Sequence, residues 1–346
     1  ITLSSSYPNA VGILSTSAST TTNASPGANT STDATSTAGT NSNNKIYGNT
    51  ISGVAFGIIF VCPPVTATVF ETGNDIGGTS ALTGNTITYG INTASTAPWN
   101  RTSSASSGMQ LRNAAGNSVR FNTVSTIATL TLASTAINVS SGSAPTGVTF
   151  TSTISDNTIV MTNTGTTAIT AIDFGHGIST GTIVGSSNNI TINQNSSAAN
   201  SAAIIGIKAN YASATNTCNS NTIVVNQSNS VAATTSAVTL INAAGAGTTV
   251  NVQNSPNLTI KQSVSGTGSF GSGAITFIGV NAASGTVNVI GNNLNTTGST
   301  IRSTGTLICI DQNSTTTVLD NFKSNVVNID RVAASGTVAF TLQTTS

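Results

Sequence analysis

Carboxylates are the residues best able to support catalysis or metal binding in this chain. There are eight of them: Asp33, Glu71, Asp75, Asp156, Asp173, Asp311, Asp320 and Asp330. General acid–base catalysis and Ca²⁺ binding both need several carboxylates that converge on one site. Only Glu71 and Asp75 are close neighbours in the sequence, and they could hold a cation weakly within one loop. Any stronger site depends on the fold bringing distant carboxylates together.

Two further groups have side chains that could bind or react. Trp99, the only tryptophan, and Arg101 lie in a Pro-containing stretch, and together they could stack on a sugar; alternatively, Trp99 only pins its own loop. His176, the only histidine, follows Asp173-Phe174-Gly175. A hydrolytic triad would need a nucleophile partnered with this histidine, and none is recognisable, so we interpret His176 as a turn residue.

The three cysteines do not indicate a metal or redox site. Cys62, Cys218 and Cys309 are far apart, and no pair has CxxC spacing. We interpret them as small core residues, with a disulfide that joins two coils as the alternative. We therefore predict no catalytic residues, no cofactor and no metal, and keep Trp99 and Arg101 as a possible ligand contact.

The element that must position these residues is a repeat. Asn-to-aliphatic motifs such as GNTIT (84–88), DNTIV (156–160) and SNTIVV (220–225) recur along the chain. Their apolar residues form one column: Ile51, Ile87, Val124, Ile159, Ile190, Ile223, Leu258, Leu294 and Val327. The column covers 276 residues in eight intervals, which is about 34.5 residues per repeat. Nine such matches at nearly constant spacing indicate a repetitive β structure rather than a disordered chain.

Two more columns divide each repeat into three strands. One precedes the first column by five or six residues: Leu82, Val119, Ile154, Val184, Cys218, Val252, Val289 and Phe322. Another lies elsewhere in the repeat: Ile172, Ile207, Ile241, Ile278 and Ile310. Apolar and polar residues alternate around each column, as expected of β-strands. Asn is expected in the turns, because it tolerates a left-handed backbone and its side chain can bond between stacked coils.

This pattern predicts an all-β fold, a right-handed parallel β-helix with three strands per coil, about 34 residues per coil and roughly nine to ten coils. On the nine Asn-to-aliphatic motifs, residues 44–340 resemble the right-handed parallel β-helix superfamily that contains the pectate-lyase-like proteins. In composition the chain is also similar to repeat regions of secreted bacterial surface adhesins and fibre proteins. The resemblance implies an extracellular or cell-surface location and surface glycans as possible partners.

Stacked coils also decide where the carboxylates lie. Asp173 and Asp311 follow the same column but are four coils apart, about 19 Å at the usual strand spacing. This distance is too large for a paired-carboxylate site. We therefore expect no enzymatic activity, although the superfamily resemblance keeps a carbohydrate-binding or polysaccharide-degrading protein as an alternative. An ice-binding solenoid is another, but no column carries Thr-x-Thr in successive coils.

Three stretches interrupt the single solenoid predicted for residues 1–346. We expect an inserted Ser/Thr/Asn-rich loop at 15–43 and irregular loops at 62–74 and 92–107. Neither end of the chain has an obvious cap. Because an open sheet edge can pair with another chain, we expect end-to-end self-association or continuation in a longer chain.

Charge excludes some partners. Charged residues make up 5% of the chain and the net charge is +1. Nucleic-acid binding requires clustered Lys and Arg, which are absent, and no apolar run is long enough for a membrane span. The function that we expect is a structural or adhesive extracellular β-solenoid, as a segment of an adhesin, a stalk or a filament.

Overall fold

The fold is a parallel β-solenoid with three strands in each coil. The computed structural model describes residues 2, 10–16, 42–61, 71–90, 105–112, 114–128, 130–141, 149–176, 181–196, 199–209, 214–230, 233–266, 269–312, 318–332 and 340–341. Within these ranges every regular element is a β-strand. The strands pair in parallel with their counterparts one coil away. The predicted fold class and the period of about 34 residues are confirmed.

Three faces run along the solenoid. Face 1 contains Lys45–Ile46, Asp75–Ile76, Ser118–Arg120, Phe150–Ser155, Gly181–Val184, Ala214–Thr217 and Val318–Lys323. Face 2 is a nine-stranded sheet of Thr50–Val54, Thr86–Tyr89, Thr123–Thr126, Thr158–Asn163, Asn189–Ser196, Thr222–Asn229, Asn257–Val264, Asn293–Asn295 and Val326–Asn328. Face 3 contains Val11–Thr16, Phe56–Val61, Ala105–Arg112, Ala133–Ser141, Ile169–His176, Ile204–Lys208, Leu307–Gln312 and Phe340–Thr341.

Two long strands turn the corner from face 3 into face 1. They are Val238–Gln253 and Ile275–Ile290, and they pair with each other across both faces. Two short pairs lie outside the three faces: Glu71–Thr72 with Ala114–Ala115, and Ala233–Thr234 with Ser269–Phe270. Each face alternates buried and exposed side chains, so the three inward rows meet in one apolar core.

The predicted column of nine aliphatic residues forms the inward ladder of face 2. Each member pairs with its neighbour in the next coil, from Ile51 with Ile87 through to Leu294 with Val327. The first eight members are at most 1% exposed, and Val327, in the last described strand of this face, is 37% exposed. All nine predicted positions are confirmed.

The predicted face 3 column is also confirmed, whereas two members of the face 1 column are wrong. On face 3, Ile172, Ile207, Ile241, Ile278 and Ile310 pair in series. On face 1, Ile76 occupies the position predicted for Leu82, which is 95% exposed on a turn. Val184 pairs with Thr153 and Thr217, so the inward position falls on Gly185.

Gly185 completes the face 1 ladder because its missing side chain makes room for a ring. A Cβ atom there would lie 3.0 Å from Cε2 of Phe174, a fully buried residue on face 3. The aromatic ring thus fills the space that an aliphatic residue fills in neighbouring coils. An inward glycine breaks the apolar pattern in the sequence, which explains why the column was predicted one residue early.

An asparagine ladder forms the corner between faces 1 and 2. Its first part is Asn49, Asn85, Asn122, Asn157, Asn188 and Asn221, and its second is Asn292 and Asn325. From Asn85 onward, each Oδ1 accepts hydrogen bonds from the preceding coil. Asn157 Oδ1, for example, accepts from the backbone N and Nδ2 of Asn122 at 3.0 and 3.1 Å. Each Nδ2 also donates to a backbone carbonyl of face 1, such as that of Val119 at 2.9 Å from Asn157. The expected bonds between stacked Asn side chains are confirmed.

We expected the asparagine of this corner to have the left-handed backbone, but the residue before it has this conformation. Six non-glycine residues in that position have φ between 54° and 58°: Phe121, Asp156, Ser187, Ser220, Asn254 and Ser324. Gly48 and Gly291 occupy the same position in two other coils. The asparagine follows the left-handed turn, and its side chain points inward to bond the backbone.

Most of the predicted inserted loops lie outside the described residues. Where their margins are described, strands extend into them: Ser15 and Thr16 end the first strand, Glu71–Thr72 is a strand, and residues 105–107 belong to Ala105–Arg112. The inserted loops at 15–43, 62–74 and 92–107 stay a prediction.

Candidate binding surface

The sequence-predicted ligand contact cannot be placed. Trp99, Arg101, Cys62 and Asp33 lie outside the described residues. His176 was predicted to lie in a turn, and this is wrong. It ends the strand Ile169–His176, where its backbone pairs with Ser141.

The carboxylates on face 3 remain apart, as predicted. Asp173 and Asp311 lie in one row, in which Lys208, Asn242 and Gly279 occupy the three coils between them. Lys208 Nζ lies 3.3 Å from Asp173 Oδ2, and both side chains are partly exposed. A pair of this kind contributes roughly 0–1 kcal/mol, so its role is local.

Two other described carboxylates, those of Asp156 and Asp75, have local partners. Asp156 Oδ2 lies 3.0 Å from Arg120 Nη2 on face 1. Asp75 Oδ2 accepts a 2.5 Å hydrogen bond from the Tyr47 hydroxyl, which raises the pKa of Tyr47, and Asp75 Oδ1 accepts from the Gly78 N–H. Within the ranges that the structure describes, no three His, Cys, Asp or Glu residues are grouped to hold a metal ion.

The two described cysteines are core residues. Cys218 and Cys309 are buried and free, so no disulfide joins these two. Burial raises the pKa of each thiol to about 12, because the apolar surroundings disfavour the thiolate. At neutral pH both thiols are therefore protonated and unsuited to nucleophilic or metal chemistry.

The outer side of face 2 is a continuous surface that runs across nine strands. Its first outward position forms a hydroxyl–amide row in eight coils, which ends at Val326 in the ninth: Thr50, Thr86, Thr123, Thr158, Asn189, Thr222, Asn257 and Asn293. In all nine strands of this face Lys261 is the only charged residue. The surface can therefore form many neutral hydrogen bonds and offers little attraction to phosphates or cations.

Two adjoining grooves cross this face in its C-terminal coils. One, of about 360 Å³, is lined by Val224, Pro256, Asn257, Thr259, Lys261, Asn293, Asn295 and Thr297. The other, of about 420 Å³, is lined by Thr296, Thr297, Gly298, Ser299, Thr300, Asn328 and Asp330. They share Thr297, and we call the two together the C-terminal groove. Its size lies within the range of small-molecule sites.

Hydrogen bonds inside the C-terminal groove fix its amides. Thr259 Oγ1 donates to Asn295 Oδ1 at 2.7 Å, and Asn295 Nδ2 donates to Asn257 Oδ1 at 2.8 Å. Thr259 and Asn295 are 2% and 4% exposed. Since these side chains are already ordered, a ligand that binds here would immobilise few of them.

This groove is not among the sites predicted from the sequence. Its weak signal is the pair of motifs Asn257-Leu258-Thr259 and Asn293-Leu294-Asn295, which place an amide and a second polar group on the outside of adjacent strands. The same motifs had been interpreted only as markers of the repeat.

Two findings bear on the chain as a whole. In the part of the chain that the structure describes, no helix is long and apolar enough to cross a membrane. Comparisons with protein-family models, with curated proteins and with solved structures found no match.

Proposed function

We propose that the chain is a structural or adhesive β-solenoid of the cell surface or extracellular space. The observation that carries the proposal is the continuity of its ladders: the face 2 column runs through nine strands without interruption. The isolated, locally paired carboxylates favour this role over catalysis, so the proposal includes no enzymatic activity.

The proposal includes coil-on-coil association with a second copy. Val327 is 37% exposed in a column whose other members are buried, and Val326 and Leu319 nearby are 57% and 63% exposed. A coil stacked on this surface would bury the inward Val327 and pair the edge of Val326–Asn328. Such edge pairing is the geometry by which solenoids extend.

Electron microscopy of the purified chain over a range of concentrations tests this proposal. Nine stacked strands at ~4.8 Å span about 40 Å, so end-to-end association gives rods whose lengths increase in steps of about that size. Val327→Lys places a charge in the contact and is expected to shorten the rods, whereas Thr123→Lys on the side of face 2 leaves them unchanged. Single particles at every concentration would contradict end-to-end association.

Carbohydrate binding is the second candidate, and the C-terminal groove favours it. The ice-binding alternative has weaker support. The outward positions of the first four coils of face 2 carry Thr with Ser, Thr, Ser and then Val two residues later, rather than Thr-x-Thr throughout. In addition, Thr88 Oγ1 and Ser125 Oγ lie 3.1 Å apart and bond each other. Thermal hysteresis of a chain solution would reveal ice binding.

A further inference from the structure

We propose that the C-terminal groove binds a linear, uncharged oligosaccharide. This inference rests on the adhesive role proposed above and names the ligand class of that surface. It starts from polar atoms that remain free in the groove. Three of them make no hydrogen bond with any described residue: Asn257 Nδ2, Lys261 Nζ and Asn293 Oδ1. The polar atoms beside them are already hydrogen-bonded, among them Asn257 Oδ1, Asn293 Nδ2 and Thr259 Oγ1.

The chemistry of these free atoms fits sugar hydroxyls. A hydroxyl is both a donor and an acceptor, and neighbouring asparagines on adjacent coils offer one free amide donor and one free carbonyl acceptor. Asn257 and Asn293 lie at equivalent positions one coil apart, because Leu258 pairs with Leu294. They can therefore contact successive parts of a chain that runs along the solenoid axis.

Two side chains supply an apolar contact beside the amides. Val224 and Pro256 line the same groove and expose C–H groups, which suit the less polar side of a pyranose ring. Asn293 Nδ2 donates to the Pro256 carbonyl at 3.2 Å, so the amide and the proline are held together. The groove thus combines fixed polar groups with a small apolar wall, as ligand sites commonly do.

Other ligand classes fit less well. One lysine is too little positive charge for a nucleic acid, whose binding depends on several phosphate contacts. Asp330, the only carboxylate in the groove, accepts a 3.1 Å hydrogen bond from Thr300 Oγ1, and one carboxylate is a poor cation site. A peptide strand would need a free sheet edge, whereas beside the groove Leu258 and Thr259 are paired with Ile223 and Val224 on one side and with Leu294 and Asn295 on the other.

Saturation-transfer NMR with defined oligosaccharides tests the inference. The probes are cellohexaose and mannohexaose as neutral chains and hexagalacturonate as an acidic one, each with the full chain. We expect a neutral hexaose to bind and hexagalacturonate to bind more weakly. Preference for hexagalacturonate would overturn the inference, because it would mean that Lys261 rather than the amides selects the ligand. Absence of binding by all three would overturn it as well.

A matched pair of variants locates the site. Asn257→Ala removes one free donor and the acceptor that orders Asn295, and is expected to weaken binding by about fivefold or more. Asn189→Ala changes the same row position two coils away, outside the groove, and is expected to leave binding unchanged. Equal effects of the two variants would contradict the assignment to the groove.

Circular dichroism confirms that both variants are folded before they are compared. The rod measurement is independent of glycan binding: rods without glycan binding overturn only the groove inference, and glycan binding without rods overturns only the end-to-end association.

Discussion

Replacing Asn157 with alanine tests the asparagine ladder at its centre. The side chain of Asn157 accepts two hydrogen bonds from Asn122 and donates to the Val119 carbonyl and to Asn188 Oδ1. Alanine leaves the Asn122 N–H and the Val119 C=O without these partners. Both groups lie in the buried corner, and each buried group left unsatisfied costs roughly 1–3 kcal/mol. We therefore expect the free energy of unfolding to fall by about 2–6 kcal/mol.

Equilibrium unfolding in urea, followed by far-ultraviolet circular dichroism, measures this loss. Thr158→Ala is the matched control, since Thr158 is the next residue but is exposed on the outside of face 2; its expected effect is within about 0.5 kcal/mol. The slope of the unfolding free energy against urea must be unchanged for the comparison to hold. A loss below about 1 kcal/mol for Asn157→Ala at unchanged slope would refute the claim that the ladder stabilises the solenoid.

Asn157→Asp adds a test that depends on pH. The aspartate can still accept from Asn122, but its second oxygen faces the Val119 carbonyl, where only a protonated carboxyl can donate. The folded variant therefore prefers the protonated form, and the pKa of this carboxyl is expected to rise above its unfolded value. Since the folded state then binds more protons than the unfolded state, stability falls as pH increases from about 4. The wild-type chain is expected to show no such fall in this range.

Three other predictions concern stability. Asn216 is 0% exposed between Ile183 and Val250, and neither its Oδ1 nor its Nδ2 has a partner. Asn216→Val is therefore expected to stabilise the fold by roughly 1–3 kcal/mol in urea unfolding. The control Asn219→Val removes an acceptor used by the Gln253 N–H and is expected to destabilise the fold. Ser220→Gly is expected to add about 0.5–1 kcal/mol to the unfolding free energy because φ is 57° there, whereas Ser220→Ala adds nothing; equal effects would contradict a conformational cause. Burial raises the pKa of Cys218 and Cys309 to about 12, so the unfolded state loses thiol protons first as pH increases above about 9. The stability of the fold, measured by thermal melting, should therefore fall above this pH. The fall, relative to the value at pH 7, should be smaller in a Cys218→Ala variant.

The ladders were predictable from sequence wherever the corner between faces 1 and 2 keeps a constant length. The inward positions of faces 1 and 2 are five residues apart in three of the coils: Val119 and Val124, Ile154 and Ile159, and Cys218 and Ile223. One sequence motif therefore located a strand on each of the two faces. Prediction failed at Leu82 because Ile76 and Ile87 are eleven residues apart rather than five, and the extra residues form a turn.

The C-terminal groove was not predictable in the same way. Thr259 and Asn295 are 36 residues apart, and each taken alone is an ordinary polar residue on a strand. Their burial, and the free amide groups beside them, follow from hydrogen bonds between coils that no local pattern encodes. The loop with Trp99 and Arg101 remains a prediction.

The constant corner also decides where such a chain can change length during evolution. In seven of its nine copies the inward positions are five residues apart, whereas the segments at the other two corners vary widely in length. The coil with Pro256 has one residue more, and there Ser255 replaces the asparagine and its hydroxyl has no partner. Recombination that exchanges whole coils or variable corners therefore preserves every ladder bond, while a single inserted codon at the constant corner breaks one. Descendants of this chain should differ by coils and loops, and seldom by one residue beside an inward asparagine.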